Sequence, residues 1–140
     1  MIIDCHGHYT TTPPQVETYR NQQRVLLAND PNHLFEKSNI NISDDEIRDT
    51  IANNQLKMQQ DRGTDLTIFS PRASWMGHDL GNASTSQAWT ELCNDLIWRV
   101  CDLFPENFVP VCQLPQSPVT SLDTSIAELS RCVEQGLYRL

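Results

Sequence analysis

Ile2-Ile3-Asp4-Cys5, running straight into His6-Gly7-His8, is the stretch from which the rest of the sequence can be read. The apolar run predicts a short buried strand at the start of the chain, with Cys5 as one of its buried residues and the His-Gly-His triplet at its end. Side chains alternate between faces along a strand, so His6 and His8 project from the same side. Both imidazoles can then reach one divalent cation, at about 2.0–2.1 Å if it is zinc. Gly7 between them is expected to leave room for the ion and its water. Asp4 is expected to support the pair, by orienting a histidine or by stabilising the strand end. Enzymes built on parallel barrels carry their chemistry at the C-terminal ends of strands, which is where this pair stands.

Downstream the chain alternates. Residues 9–42 are the least regular part: Pro13-Pro14 opens a helix to about Leu27, Asn29-Asp30-Pro31-Asn32 makes a turn, and 33–42 reads as loop. Ser43-Asp44-Asp45-Glu46 has the form of a capping box at the start of a second helix, with acidic residues at the positive end of the helix dipole. Ile47, Ile51, Leu56 and Met58 give this helix an imperfect apolar face, and Gly63 ends it. Leu66-Thr67-Ile68-Phe69 predicts the second strand, ended by Ser70-Pro71. A helix from Ser84 or Thr85 to Phe104 carries Trp89, Leu92, Cys93, Leu96, Ile97, Val100 and Leu103 at helical spacing, and Pro105 stops it. Residues 108–114 predict the third strand, with Pro110 near its start. A last helix begins at Asp123 or Thr124, with Ile126, Leu129, Cys132 and Val133 on one face, and Gly136 ends it. Residues 137–140 would open a fourth strand. Three strand–helix units in this order predict an α/β fold with right-handed crossovers and a parallel sheet. A closed barrel of eight such units takes about 250 residues, so residues 1–140 read as the N-terminal part of a single, incomplete (β/α)₈ TIM-type barrel domain.

Composition narrows the function. The formal charge is −8, and Lys37 and Lys57 are the two lysines. Binding to nucleic acid or to an anionic membrane needs clustered cations, so neither is expected as a partner. No apolar stretch approaches the roughly 20 residues that span a bilayer. The N-terminus lacks the features of a secretory signal, so a cytoplasmic location is the default expectation. The five cysteines, Cys5, Cys93, Cys101, Cys112 and Cys132, have no paired spacing and read as reduced, mostly buried small hydrophobes.

A second candidate segment is Ser70-Pro71-Arg72-Ala73-Ser74, which a barrel would place on the same face as the histidine pair. Arg72 can grip a carboxylate through two parallel hydrogen bonds, and Ser70 and Ser74 can add hydroxyl contacts. His33 and His78 lack a comparable context and are not expected to be ligands. Asn94, inside an apolar helix, needs a partner and is expected to find it on the backbone of a neighbouring loop. Asn53 and Asn54 read as structural, and Trp75, Trp89 and Trp98 as packing residues. Gln113 and Gln116 flank the end of the third strand and are weaker site candidates.

Met1-Ile2-Ile3-Asp4-Cys5-His6-Gly7-His8-Tyr9-Thr10-Thr11 resembles the opening of the 4-oxalomesaconate hydratases. These belong to the amidohydrolase superfamily, in the branch that includes aminocarboxymuconate-semialdehyde decarboxylase. The resemblance continues through Ile42–Glu46, Asn54–Leu56, Asp65–Thr67, Phe69–Ser74, Leu103–Phe108 and Leu114–Pro118, and so covers essentially the whole chain. His-x-His marks only the superfamily; Tyr9-Thr10-Thr11 and Ser70–Ser74 are the more specific stretches.

The resemblance implies a distorted (β/α)₈ barrel with one divalent metal, zinc by family habit, and His6 and His8 as its first two ligands. It implies a lyase that reversibly adds water to the conjugated C=C bond of an oxo-tricarboxylate in the breakdown of aromatic acids such as protocatechuate and gallate. A small polycarboxylate is the expected partner and accounts for Arg72, and a homo-oligomer is compatible with it. Members of the family are more than twice as long and draw a further histidine and an acidic residue from later strands. Without those, this chain is expected to bind metal weakly and to be inactive. The alternatives are a metal-dependent decarboxylase or hydrolase of the same superfamily, or a non-catalytic fragment. A phosphoesterase opening with His-x-His would need more metal-binding residues downstream.

Overall fold

The computed structural model of the chain describes residues 1–37, 40–72, 80–118 and 121–136. Strands β1 (Ile3–His8), β2 (Leu66–Ser70) and β3 (Phe108–Pro110) form one parallel sheet in the order β1-β2-β3. Between β1 and β2 come α1 (Pro14–Asn29) and a composite helix of α2 (Asp44–Ile51), a π-helical turn (Ala52–Leu56) and α3 (Lys57–Arg62). The helix α4 (Ala83–Leu103) joins β2 to β3, and α5 (Asp123–Glu134) follows β3. Each strand lies beside the one before it, as successive strands of a barrel do.

One face of the sheet is covered. Along β2, Thr67 and Phe69 are buried while Leu66, Ile68 and Ser70 are half-buried. Phe69 packs between Tyr9 and Phe108, with ring centroids 5.8 and 4.8 Å away. Ile47, Ile51, Trp89, Ile97 and Val100 continue this core beneath the helices. The α2–α4 contact is closed by Arg99, which donates to the Ile42 carbonyl at 2.7 Å and to Asp44 at 2.6 Å.

Local sequence explains most boundaries. Ser43 and Glu46 form the reciprocal capping box that opens α2. Gly63 closes α3 in the left-handed conformation, with φ 66°, where a side chain would be strained. The start of α4 is set by Asn82, not by the serine or threonine after it. Asn82 Oδ1 accepts from the Thr85 backbone at 3.1 Å and from the Ser84 hydroxyl at 2.7 Å.

Several expectations are corrected. The first strand is not buried: Ile3 is 50% exposed and Cys5 is exposed, because β1 is an edge strand whose outer side has no partner among the described residues. The third strand ends at Pro110 instead of running to residue 114. Val111 still donates to Phe69 at 2.8 Å, but Gln113 N then turns to Asn94 Oδ1 at 2.9 Å and leaves the sheet. Pro110 therefore stands at the strand's end, not its start. The imperfect periodicity of the second helix is the π-helical turn: Ile51 and Leu56, five apart, share a side because that turn holds an extra residue. Met58 is exposed, and Gln59 takes the inward position, donating to the Asn107 carbonyl at 2.9 Å. In α5 only Cys132 of the four expected apolar residues is buried. Ile126, Leu129 and Val133 are 60%, 40% and 52% exposed, whereas Ser125, Glu128 and Cys132 are buried. The polar side faces inward because it meets polar partners: Glu128 accepts from Asn94 at 2.6 Å and pairs with Arg131 at 2.7 Å.

Asn94 behaves as expected, since its Nδ2 also donates to the Gln113 carbonyl at 2.9 Å. None of the five cysteines is in a disulfide: Cys93, Cys101 and Cys132 are buried, Cys112 is half-buried and Cys5 is exposed. Among the described residues no helix is long and apolar enough to cross a membrane. The fourth strand expected at 137–140, together with Ser74, Trp75 and His78, lies outside the described residues.

Candidate metal centre

The site is built on an irregularity of β1. Ile3 and Asp4 pair with Leu66 and Thr67, and Gly7 and His8 pair with Phe69 and Ser70. Cys5 and His6 therefore stand together opposite the single Ile68, a β-bulge of the kind that re-aims side chains next to active sites. Strict alternation would put Asp4 on the side of His8. The extra residue instead leaves Asp4 in register with the helix-facing Thr67 and His8 in register with Ser70 on the open face. Asp4 Oδ1 accepts from His6 N at 3.0 Å and so ties down the backbone of the bulge. Of the two roles expected for Asp4, this contact is the strand-end one.

His6 and His8 converge. Their Nε2 atoms are 3.0 Å apart and the rings are perpendicular, with centroids 4.6 Å apart. The proton positions follow from the neighbours. His8 Nδ1 lies 3.0 Å from the Pro71 carbonyl, which can only accept, so Nδ1 carries the proton. Ser70 Oγ donates to the Gly7 carbonyl at 3.1 Å and lies 2.8 Å from the same Nδ1, where it accepts. His8 Nε2 thus presents its lone pair toward His6, and His6 Nε2–H donates to it. Two nitrogens sharing one tetrahedral zinc stand about 3.3 Å apart, given about 2.0–2.1 Å for each bond. Spreading the observed pair by a few tenths of an ångström accommodates a cation, so the two residues fit the group. Two ligands do not complete it: among the described residues no group of three or more His, Cys, Asp or Glu could hold a metal ion.

Gly7 does not face the ion. A Cβ there would point to the helix side and come well inside 3.0 Å of the Thr67 methyl carbon, with Phe69 Cδ2 at 3.1 Å and the Ile68 carbonyl oxygen at 3.2 Å. The close approach of β1 to β2 requires glycine, and the room for an ion comes from the open face of the sheet instead.

The second candidate segment adjoins the pair. Pro71 is buried and Arg72 exposed, one residue beyond the carbonyl that holds His8. Arg72 is the one charged residue, among the described residues, on the wall of a narrow open cleft whose other walls include Tyr9, Thr12, Val16, Pro71 and Trp89. The imidazoles themselves are not part of that wall. His33 stacks edge-on against Phe35, its centroid 4.7 Å away, and its carbonyl accepts from Asn82. Gln113 and Gln116 serve the fold with backbone bonds to Asn94 and Ser86. Asn53 and Asn54 donate to carbonyls one turn back.

What went unforeseen is the support for the loop after His8. Tyr9 is buried, and its hydroxyl lies 2.6 Å from Thr50 Oγ1. Burial holds that phenol above its ordinary range, more than the Thr50 bond lowers it. Thr11 donates to Gln55 Oε1 at 2.8 Å, and Gln55 Nε2 donates to Thr10 at 3.2 Å. Gln55 belongs to the π-helical turn, and the five-residue step from Ile51 to Leu56 was the signal that could have found it.

Comparison with known proteins agrees with this fold. Over 136 residues the chain is 52% identical to a 2-keto-4-carboxy-3-hexenedioate hydratase of Sphingobium sp. (strain NBRC 103272 / SYK-6), covering 96% of this chain and 39% of that protein. The crystal structure of a 4-oxalomesaconate hydratase from Rhodopseudomonas palustris superposes with a TM-score of 0.84 at 46% identity, over 98% of this chain and 40% of the other. A structure described as an amidohydrolase II shares the fold at a TM-score of 0.60 and 15% identity, over 96% of this chain and 37% of its own. The three strand–helix units are thus part of a TIM-type barrel, and the chain spans about two-fifths of the length of the relatives it matches. Residues 3–139 match the amidohydrolase family, and the chain belongs to that family.

Proposed function

We propose that this chain contributes the first two metal ligands, His6 and His8, and a carboxylate-binding arginine, Arg72, to a hydro-lyase that adds water across the conjugated C=C bond of 4-oxalomesaconate. The observation that carries the reading is the convergence of two Nε2 atoms, 3.0 Å apart, at the end of β1. It is supported by 52% and 46% identity to two proteins named as hydratases. A bound divalent cation, zinc by its nitrogen donors, would bring the pKa of water toward neutrality and so supply the nucleophile.

The chain's own residues do the remainder. His6 and His8 hold the cation, Asp4 holds the bulge that aims His6, and Arg72 takes one carboxylate of the substrate in a two-point contact. Ser74 extends the same segment and is assigned the hydroxyl contact expected of it. Cysteines without disulfides fit a reducing compartment such as the cytoplasm. Two imidazoles alone bind metal weakly, so the 140-residue chain is expected to be inactive without ligands from elsewhere.

Equilibrium dialysis against zinc, with wild type, His6→Ala, His8→Ala and the double variant, tests the metal site. Uptake is expected to fall to background in all three variants. Equal zinc content in wild type and double variant would sink the proposal. A turnover assay with 4-oxalomesaconate and with a muconate semialdehyde, on a chimera in which this chain replaces the matching part of the 46%-identical relative, separates hydratase from decarboxylase. Hydration by the 140-residue chain alone would overturn the claim that two ligands are too few.

A further inference from the structure

Ser70 sits where a substrate contact is expected, yet both of its bonding directions are already in use. Its hydroxyl proton goes to the Gly7 carbonyl at 3.1 Å, and its oxygen lies 2.8 Å from His8 Nδ1. The Pro71 carbonyl approaches the same nitrogen at 3.0 Å from the next residue. Gly7 and His8 lie on β1 beside Ser70 on β2, so the two contacts of the serine are held by the paired strands, and Pro71 follows directly after β2. A carbonyl facing an unprotonated Nδ1 at this distance would set two lone pairs against each other, so one tautomer alone satisfies every atom.

We propose that Ser70 is a positioning residue rather than a substrate contact: with the Pro71 carbonyl it locks His8 as the Nδ1–H tautomer and aims the Nε2 lone pair at the point where His6 converges. The inference rests on the metal reading of this site for its purpose, though not for its geometry. The partners behind a ligating histidine fix its tautomer and ring orientation, and their loss typically weakens metal binding by about 10–100-fold. No charge or proton transfer is assigned to Ser70. Its effect is on which nitrogen is available and where the ring points.

Two readouts test this. Long-range ¹H–¹⁵N correlation spectra of the metal-free chain, at about pH 8.5 where an ordinary imidazole is neutral, report the His8 tautomer directly. The expected spectrum has a protonated Nδ1 and a bare Nε2; a protonated Nε2 on His8 overturns the proposal. Cobalt(II) titration followed by its visible absorption then compares wild type, Ser70→Ala and Ser70→Thr. Ser70→Ala is expected to weaken cobalt binding about tenfold or more and Ser70→Thr, which keeps the oxygen, to stay near wild type. Equal affinity in wild type and Ser70→Ala overturns the proposal. The tautomer readout uses wild type and so stands even if a variant fails to fold. A wild type that takes up no cobalt refutes the metal reading, while the His8 tautomer still decides whether Ser70 and Pro71 set the ring.

Discussion

Replacing Gly7 by alanine is expected to cost the fold about 1–2 kcal/mol, and replacing Thr67 by serine in the same chain to return most of that. The new methyl would point between the strands, well inside 3.0 Å of the Thr67 methyl carbon and 3.1 Å from the Phe69 ring. Carbon atoms pack best at about 3.5–4.0 Å, so the overlap with the Thr67 methyl exceeds about an ångström. Thr67 cannot simply swing away, because it is buried and its hydroxyl accepts from Gln59 at 3.3 Å. Forcing an extra methyl into such a contact costs about 1–3 kcal/mol. Alanine returns about 0.5–1 kcal/mol through the lower entropy of its unfolded chain. Serine at position 67 keeps the hydroxyl and deletes the methyl that clashes. Urea unfolding of the wild type, both single variants and the double variant, followed by tryptophan fluorescence, gives the coupling energy. A favourable coupling of about 1 kcal/mol is expected. Additive effects within about 0.3–0.5 kcal/mol would refute the reasoning, because they would mean that the two positions do not touch.

Acid stability is expected to pass through Glu128, which is 3% exposed. Burial alone would raise its carboxyl pKa, but bonds from Arg131 and Asn94 bring it below the ordinary glutamate range. A group lowered on folding stabilises above its unfolded pKa of about 4.3 and loses that contribution as the pH falls toward the folded value. Wild type should therefore weaken between about pH 5 and pH 3 more steeply than Glu128→Gln in urea unfolding at stepped pH, and equal slopes would contradict the pairing. Thiol labelling of the native chain should modify Cys5 first, because it is exposed, and Cys101 slowly, because burial pushes its thiol up to about 12. Peptide mapping that found Cys101 labelled as fast as Cys5 would refute the burial pattern.

The order of strands and helices was legible because hydrophobic spacing, the Ser43 capping box and the stops at Gly63, Pro105 and Gly136 all act locally. His6 and His8 were legible for the same reason: period-two alternation needs no knowledge of the neighbours. What escaped depended on partners distant in sequence. The bulge exists because β1 must match β2 sixty residues later, and it reversed the side of Asp4. Gly7 was assigned to the ion because its true neighbour, Thr67, lies across the sheet. The inward face of α5 was misjudged because apolar spacing does not disclose that Asn94, 34 residues earlier, offers Glu128 a bond. Ser70 looked free because Gly7 and His8 reach it only after the strands have paired.

The extra residue in the turn Ala52–Leu56 has an effect on phase. In an uninterrupted α-helix each residue advances about 100°, so removing one from this turn would rotate everything after it by that angle relative to everything before. Upstream of it, Thr50 meets Tyr9 and Thr11; within it, Gln55 clasps Thr10 and Thr11; downstream, Gln59 reaches Thr67 and Asn107. The first contacts lie just beyond the end of β1, and the last lie where β2 and β3 begin. One helical rod thus grips both rims of the sheet, and a one-codon deletion within it would let go of one rim whichever side chains were kept.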